Sequence, residues 1–313
     1  MPSLLAAVLL ALGVLLSAQG PPQARPEWDD PAVIDVGTER PHATRVAYPD
    51  LAAARLGDAT RSPWLRSLNG EWRFHYAASP AERPARFFDT SFDDAAWPLI
   101  AVPSNWELRG FGMPIYVNAG YGFDMDRQDP RPPRADNPVG SYRRRFDVPA
   151  DWAGRQVYLR FAGVDSAFYV WVNGQRVGYS EDSRTPAEFD VTRVVRPGAN
   201  LVAVEVYRWS DGSFLEDQDM FRLSGIFRDV TLWSAGAVRI ADVEVHTDLD
   251  AAYRDATLTV TARLANVAAA ANATVTLDLF DAEGQATASA TTRVAAPARG
   301  EVPARFSVAV RAP

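Results

Sequence analysis

The chain contains no cysteine and no lysine. Without Cys, disulfide scaffolds, thiol catalysis and Cys-ligated zinc are excluded. All 32 basic residues are Arg, and 39 Asp and Glu leave a net charge of −7. That balance argues against a nucleic-acid partner, because phosphate binding needs a basic face. Histidine is nearly as scarce. His42, His75 and His246 lie far apart in the 313 residues, which disfavours a metal centre built mainly on imidazole. Phosphate-cradling glycine loops and Ser-His-Asp spacing are missing as well. Long apolar runs are confined to residues 4–16, LLAAVLLALGVLL, with the first charge at Arg25. A bilayer span needs about 20 apolar residues. The run fits the h-region of a secretory signal peptide, with small residues Ser17 and Ala18 at a cleavage site near Ala18. The expected location is therefore secreted or periplasmic, although the leading Met-Pro-Ser lacks the usual positive charge.

What is present reads as an all-β globular protein. Apolar residues make up 47% and charged residues 23%, the balance of a soluble fold. Residues 25–63, rich in Pro, Asp and Arg, read as an extended arm. From Trp64 onward short segments alternate with period two: Gly70-Glu-Trp-Arg-Phe-His-Tyr, Arg155-Gln-Val-Tyr-Leu-Arg-Phe, Ala167-Phe-Tyr-Val-Trp-Val and Leu201-Val-Ala-Val-Glu-Val-Tyr. Such alternation marks half-buried strands. Asn173-Gly174 is a hairpin signal, since both turn residues must reach positive φ. Many short strands with regular turns lead to a sandwich or jelly roll over residues 64–235, with Trp72, Phe74, Trp171 and Val204 expected in its core. All nine Trp precede Ser234. Ala/Thr/Val alternations over 236–313 read as a second sandwich. Its 78 or so residues fall short of the ~100 of an immunoglobulin-like domain, so an incomplete sandwich is expected.

Two stretches carry chemistry. The first is Asp211-Gly-Ser-Phe-Leu-Glu-Asp-Gln-Asp-Met-Phe-Arg, where Asp211, Glu216, Asp217 and Asp219 crowd together. A solvated loop would explain an acidic run, but here the acids are interleaved with Trp209, Phe214, Met220 and Phe221. Like charges at that density repel unless Arg or a hard cation compensates, and oxygen ligands suit such a cation. The second is Val102-Pro-Ser-Asn-Trp-Glu-Leu-Arg-Gly-Phe-Gly-Met-Pro-Ile-Tyr-Val-Asn-Ala-Gly-Tyr, loop-like yet aromatic. It reads equally as a loop packed on the core and as a sugar site. In the latter case rings stack on C–H faces and amides bond hydroxyls.

These stretches, with Arg40-Pro-His-Ala-Thr, Ser67-Leu-Asn-Gly-Glu-Trp-Arg-Phe, Asn137-Pro-Val-Gly-Ser-Tyr, Asp165-Ser-Ala-Phe-Tyr-Val-Trp-Val-Asn-Gly and Val177-Gly-Tyr-Ser-Glu-Asp-Ser-Arg, resemble the β-galactosidases of glycoside hydrolase family 2. The resemblance covers roughly residues 38–235. Its most specific motif runs from Arg208 to Val230. It implies a galactose-binding-like jelly-roll sandwich, then an immunoglobulin-like sandwich, then a catalytic (β/α)8 barrel. In that barrel two glutamates perform a retaining mechanism. A barrel takes about 250 residues, and nothing after Gly236 alternates strand and helix. The barrel is therefore expected outside this chain, and the chain alone is expected to be inactive.

By the same resemblance Asn118 and Asp219 are the substrate-binding residues, and Asp219 also binds sodium together with ligands from the barrel. The two are expected on separate loops facing one cavity. Asp217 is expected to bond backbone amides of its own loop. The complete enzyme is expected to use sodium and magnesium, the latter outside this chain, and to act on β-galactosides, with homo-oligomerisation open. Residues 124–136 depart in detail from the family. A free-standing carbohydrate-binding module without catalysis is the rival reading.

Overall fold

The computed structural model describes residues 25–126, 128 and 130–311. The signal-peptide expectation lies outside the described residues. Among those residues no helix is long and apolar enough to cross a membrane.

Among the described residues fifteen strands precede residue 236: β1 (Asp35–Val36), β2 (Leu65–Ser67), β3 (Gly70–Ala77), β4 (Leu99–Val102), β5 (Ile115–Val117), β6 (Val139–Val148), β7 (Gln156–Phe161), β8 (Val164–Asp165), β9 (Ala167–Val172), β10 (Gln175–Ser180), β11 (Ala187–Asp190), β12 (Gly198–Tyr207), β13 (Met220–Arg222), β14 (Gly225–Ile226) and β15 (Val230–Ala235). A seven-stranded antiparallel sheet, ordered β1-β10-β9-β12-β6-β3-β4, faces a four-stranded sheet, β11-β7-β15-β2. Together they form the jelly-roll sandwich. Asn173 and Gly174 take φ of 51° and 82° and turn β9 into β10, as their sequence requires.

Strand parity fills the core. Trp72 and Phe74 of β3, Val170 and Val172 of β9 and Val204 of β12 point between the sheets, against Leu159 and Phe161 of β7 and Leu232 of β15. Trp171 does not join them. It is one residue out of phase with Val170 and Val172, so it lies on the opposite face. There it stacks on Phe88, with centroids 5.0 Å apart and planes 6° apart.

That outer face is covered, which corrects the half-buried expectation for the central strands. Trp28 of the arm stacks on Tyr207 at 5.1 Å and caps a second cluster with Tyr169 and Tyr179. Arg143 of β6, itself buried, anchors the connection between β3 and β4: its Nε donates to Asp94 at 2.6 Å and its Nη1 to the Asp89 carbonyl at 2.9 Å. Most of β9 and β12 is consequently buried on both faces.

The arm is more than an extended strap. It supplies edge strand β1, which pairs Val36 with Tyr179, and a short exposed helix, α1 (Leu51–Leu56), capped by the Asp50 carboxylate. Its Asp29 carboxylate is buried and accepts from Arg134 at 2.5 Å, which ties the arm to the stretch between β5 and β6.

The second sandwich consists of β16 (Val238–Leu249), β17 (Asp255–Asn266), β18 (Ala271–Phe280), β19 (Ala286–Ala296) and β20 (Gly300–Arg311). They form sheets β16-β17-β20 and β18-β19, closed over Leu258, Val260, Leu264, Val275 and Phe306. The arm bridges the two sandwiches. His42 Nε2 lies 3.0 Å from Glu188 of β11, and the Ala43 amide donates to Asp242 of β16 at 2.9 Å.

Candidate functional site

The two stretches singled out in the sequence meet in a ribbon outside both main sheets. β5 and β13 pair antiparallel, with Val117 opposite Met220, Tyr116 opposite Phe221 and Ile115 opposite Arg222. One step further along this ladder Asn118 and Asp219 stand opposite each other, just past the last paired residues. Alternate residues of a strand share a face, and so do directly opposed residues. Tyr116, Asn118, Asp219 and Phe221 therefore occupy one face, and all four are exposed. Ile115, Val117, Met220 and Arg222 occupy the other, partly or fully buried. Asn118 and Asp219 are thus brought together as neighbours on an open ribbon face.

The Asp219 carboxylate accepts a 2.5 Å hydrogen bond from the Tyr116 hydroxyl through Oδ1. That bond raises the pKa of the phenol, because losing its proton would place an anion against a carboxylate. The rings of Tyr116 and Phe221 lie 5.4 Å apart at 57°.

The remaining acids of the cluster are committed elsewhere. Glu216 accepts from the amide and hydroxyl of Ser183 at 2.6 and 2.5 Å. Asp217 pairs with Arg222, five residues further along the same segment, where amides of its own loop were expected. Asp211 lies against Glu181; burial raises both carboxyls, and the Asp211 charge raises that of Glu181 further. The aromatic residues of the loop pack on one another: Phe214 on Tyr121 at 5.0 Å and Trp209 on Phe123 at 5.0 Å.

Beneath the ribbon, Arg208 is buried and its Nη2 donates to the carbonyl of Met113 at 2.9 Å. Glu107 lies 3.8 Å from it and accepts from the Ser224 amide at 2.9 Å; burial raises the Glu107 carboxyl. Trp106 is wholly buried, so the stretch from Val102 to Tyr121 packs on the core at one end and stands exposed at the other. A water-sized cavity of about 20 Å³ lies behind the ribbon, lined by Asp165, Trp209, Glu216, Asp217 and Arg222 among others. Among the described residues no three His, Asp or Glu side chains converge as a complete metal site.

The sequence names Phe221 only as one of the apolar residues between the acids and does not single out Tyr116. Both lie in alternating runs, Ile-Tyr-Val-Asn and Asp-Met-Phe-Arg, which place them beside Asn118 and Asp219 as soon as the runs are paired.

Residues 65–236, more than half of the chain, match the family model "Glycosyl hydrolases family 2, sugar binding domain". The chain belongs to glycosyl hydrolase family 2. Among similar proteins, the β-galactosidase of Priestia megaterium is 44% identical over 262 residues, covering 82% of this chain and 25% of the relative. The β-galactosidase of Photobacterium profundum is 44% identical over 258 residues, covering 82% and 24%. The chain thus spans about a quarter of the length of the curated relatives it matches. In fold it is similar to a β-glucuronidase from glycoside hydrolase family 2, with a TM-score of 0.62 at 21% identity, covering 80% of this chain and 27% of that one. It is also similar to Bacteroides uniformis β-glucuronidase 2, with a TM-score of 0.64 at 20% identity, covering 80% and 28%.

Proposed function

We propose that the chain is the N-terminal part of a β-galactosidase that hydrolyses terminal non-reducing β-D-galactose residues. It supplies Asn118 and Asp219 as sugar contacts to an active site completed by a following (β/α)8 barrel. The observation that carries this reading is the shared face of the β5–β13 ribbon. It puts an amide and a carboxylate opposite each other, exposed and beside two rings. An amide both donates to and accepts from hydroxyls, and a carboxylate accepts. That combination holds a polyol in one orientation.

The barrel carries the catalytic carboxyls of a retaining mechanism, about 5–5.5 Å apart. This chain orients the sugar, and Asp219 remains an anion that accepts a hydroxyl proton in a hydrogen bond. Its hard oxygen donors also suit sodium, which neutralises the carboxylate when the ribbon is covered by the barrel. The complete enzyme uses magnesium as well, and the apolar leader directs it to export.

The test compares purified chain with the continuous protein that includes the barrel, on a chromogenic β-D-galactoside. The chain alone should be inert and the longer protein active. Turnover by the chain alone that disappears on replacing one of its own Asp or Glu residues would place the active site here and overturn the reading.

A further inference from the structure

We propose that the outward face of the β5–β13 ribbon works as one sugar-recognition surface, in which Tyr116 positions the Asp219 carboxylate and Phe221 offers its ring to the apolar C–H face of a galactopyranoside. This deepens the function proposed above and rests on it.

The ladder itself assembles the surface. Tyr116 faces Phe221 across the strands, and Asp219 and Asn118 follow on the same side at the open end. An isolated exposed Asp samples several rotamers. Here Oδ1 is held at 2.5 Å from the Tyr116 hydroxyl, and the Tyr116 ring is in turn braced by Phe221 at 5.4 Å. The phenol donates its only proton to Asp219, so it does not compete for the sugar as a donor. The carboxylate keeps its remaining lone pairs for a hydroxyl or a cation.

Phe221 is 58% exposed and Tyr116 56%, an unusual outlay of ring area beside a charged group. Aromatic faces carry partial negative charge, which suits the polarised C–H bonds of a sugar. A galactopyranoside gathers such bonds on one side because its axial O4 turns to the other. A surface with a ring plate, a fixed carboxylate and an amide matches that division. Asp217 and Arg222, by contrast, are paired on the inward side and belong to the support of the ribbon.

The experiment has two parts. In the 313-residue chain, the side-chain rotamer of Asp219 is followed by NMR. Tyr116→Phe should spread Asp219 over several rotamers; an unchanged single rotamer would show that the positioning contact is not made. In the barrel-containing protein, o-nitrophenyl β-D-galactoside kinetics are measured for Tyr116→Phe, Phe221→Ala, Phe221→Leu and Phe221→Tyr. KM should rise on the order of fivefold for Tyr116→Phe. It should rise on the order of tenfold for Phe221→Ala, stay raised with Leu and recover with Tyr. If the Tyr116 and Phe221 variants keep the parent KM while Asn118→Ala and Asp219→Asn raise it, the wider surface is wrong and the functional reading stands. If Asn118→Ala and Asp219→Asn also behave as the parent, the functional reading falls, and this proposal with it. If Phe221→Ala lowers only the melting temperature of the longer protein, the ring packs on the barrel and not on sugar, and the proposal is overturned.

Discussion

The side chain of Asn137 and the backbone of Trp209 close a two-bond ring across 72 residues. Asn137 Nδ2 donates to the Trp209 carbonyl at 2.9 Å, and the Trp209 amide donates to Asn137 Oδ1 at 2.9 Å. Asn137 is fully buried. The pair fixes the point where β12 ends and the acidic loop begins, so it sets the direction from which the loop reaches the ribbon. Replacing Asn137 with Ala strands two buried backbone groups. The expected cost is roughly 2–4 kcal/mol, measured by urea unfolding, whereas Asn137→Asp should restore only the accepting half.

The arm depends on a glycine. A Cβ at Gly178 would stand 2.1 Å from the carbonyl oxygen of Val36 and 2.7 Å from the ring of Phe189. Both are fixed groups, one of them backbone. Gly178→Ala should therefore expel β1 from the sheet edge while the jelly roll persists. Limited proteolysis is the readout: the variant should lose the arm, cut within residues 25–45, under conditions where the parent chain stays whole.

Asp165 makes stability depend on pH. Burial pushes its carboxyl up to about 7 despite Arg184 nearby, while in the unfolded chain it titrates near 3.8. Between those values the folded state binds more protons than the unfolded state, so this group lowers stability as pH rises from about 4 to about 7. Asp165→Asn removes that dependence. Relative to the parent, the variant should gain up to roughly 2–4 kcal/mol between pH 4.5 and 7.5 in urea unfolding. Parallel pH profiles for the two proteins would contradict the assignment.

The strands were legible because parity is local. Trp72, Phe74 and Val204 announce their face through neighbours two residues away, and Asn173-Gly174 announces its turn without help. Trp171 shows the limit of that reading. Its size invited a place in the core, but its phase puts it with Tyr169 on the outer face, where Phe88 from a distant connection covers it. The partners of the acidic loop were hidden for a similar reason. Ser183 meets Glu216 across 33 residues, and no spacing rule joins such a pair. Asn118 and Asp219 were recognisable only through resemblance. Their register, and with it the roles given to Tyr116 and Phe221, comes from strand pairing between segments about a hundred residues apart.

Of the acids in the loop, Asp219 is the one that meets the sugar and the cation in the function proposed. Asp219 stands on the outward face with Tyr116, and Asp217 on the inward side is neutralised by Arg222. The deciding measurement is β-galactoside hydrolysis by the barrel-containing protein across a sodium titration, comparing Asp219→Asn with Asp217→Asn. Asp219→Asn should raise KM about tenfold or more, the loss of one charged hydrogen bond, and flatten the sodium response while the fold is retained. Asp217→Asn should keep the sodium response and lose stability. A flattened response in Asp217→Asn, with Asp219→Asn behaving as the parent, would contradict the account.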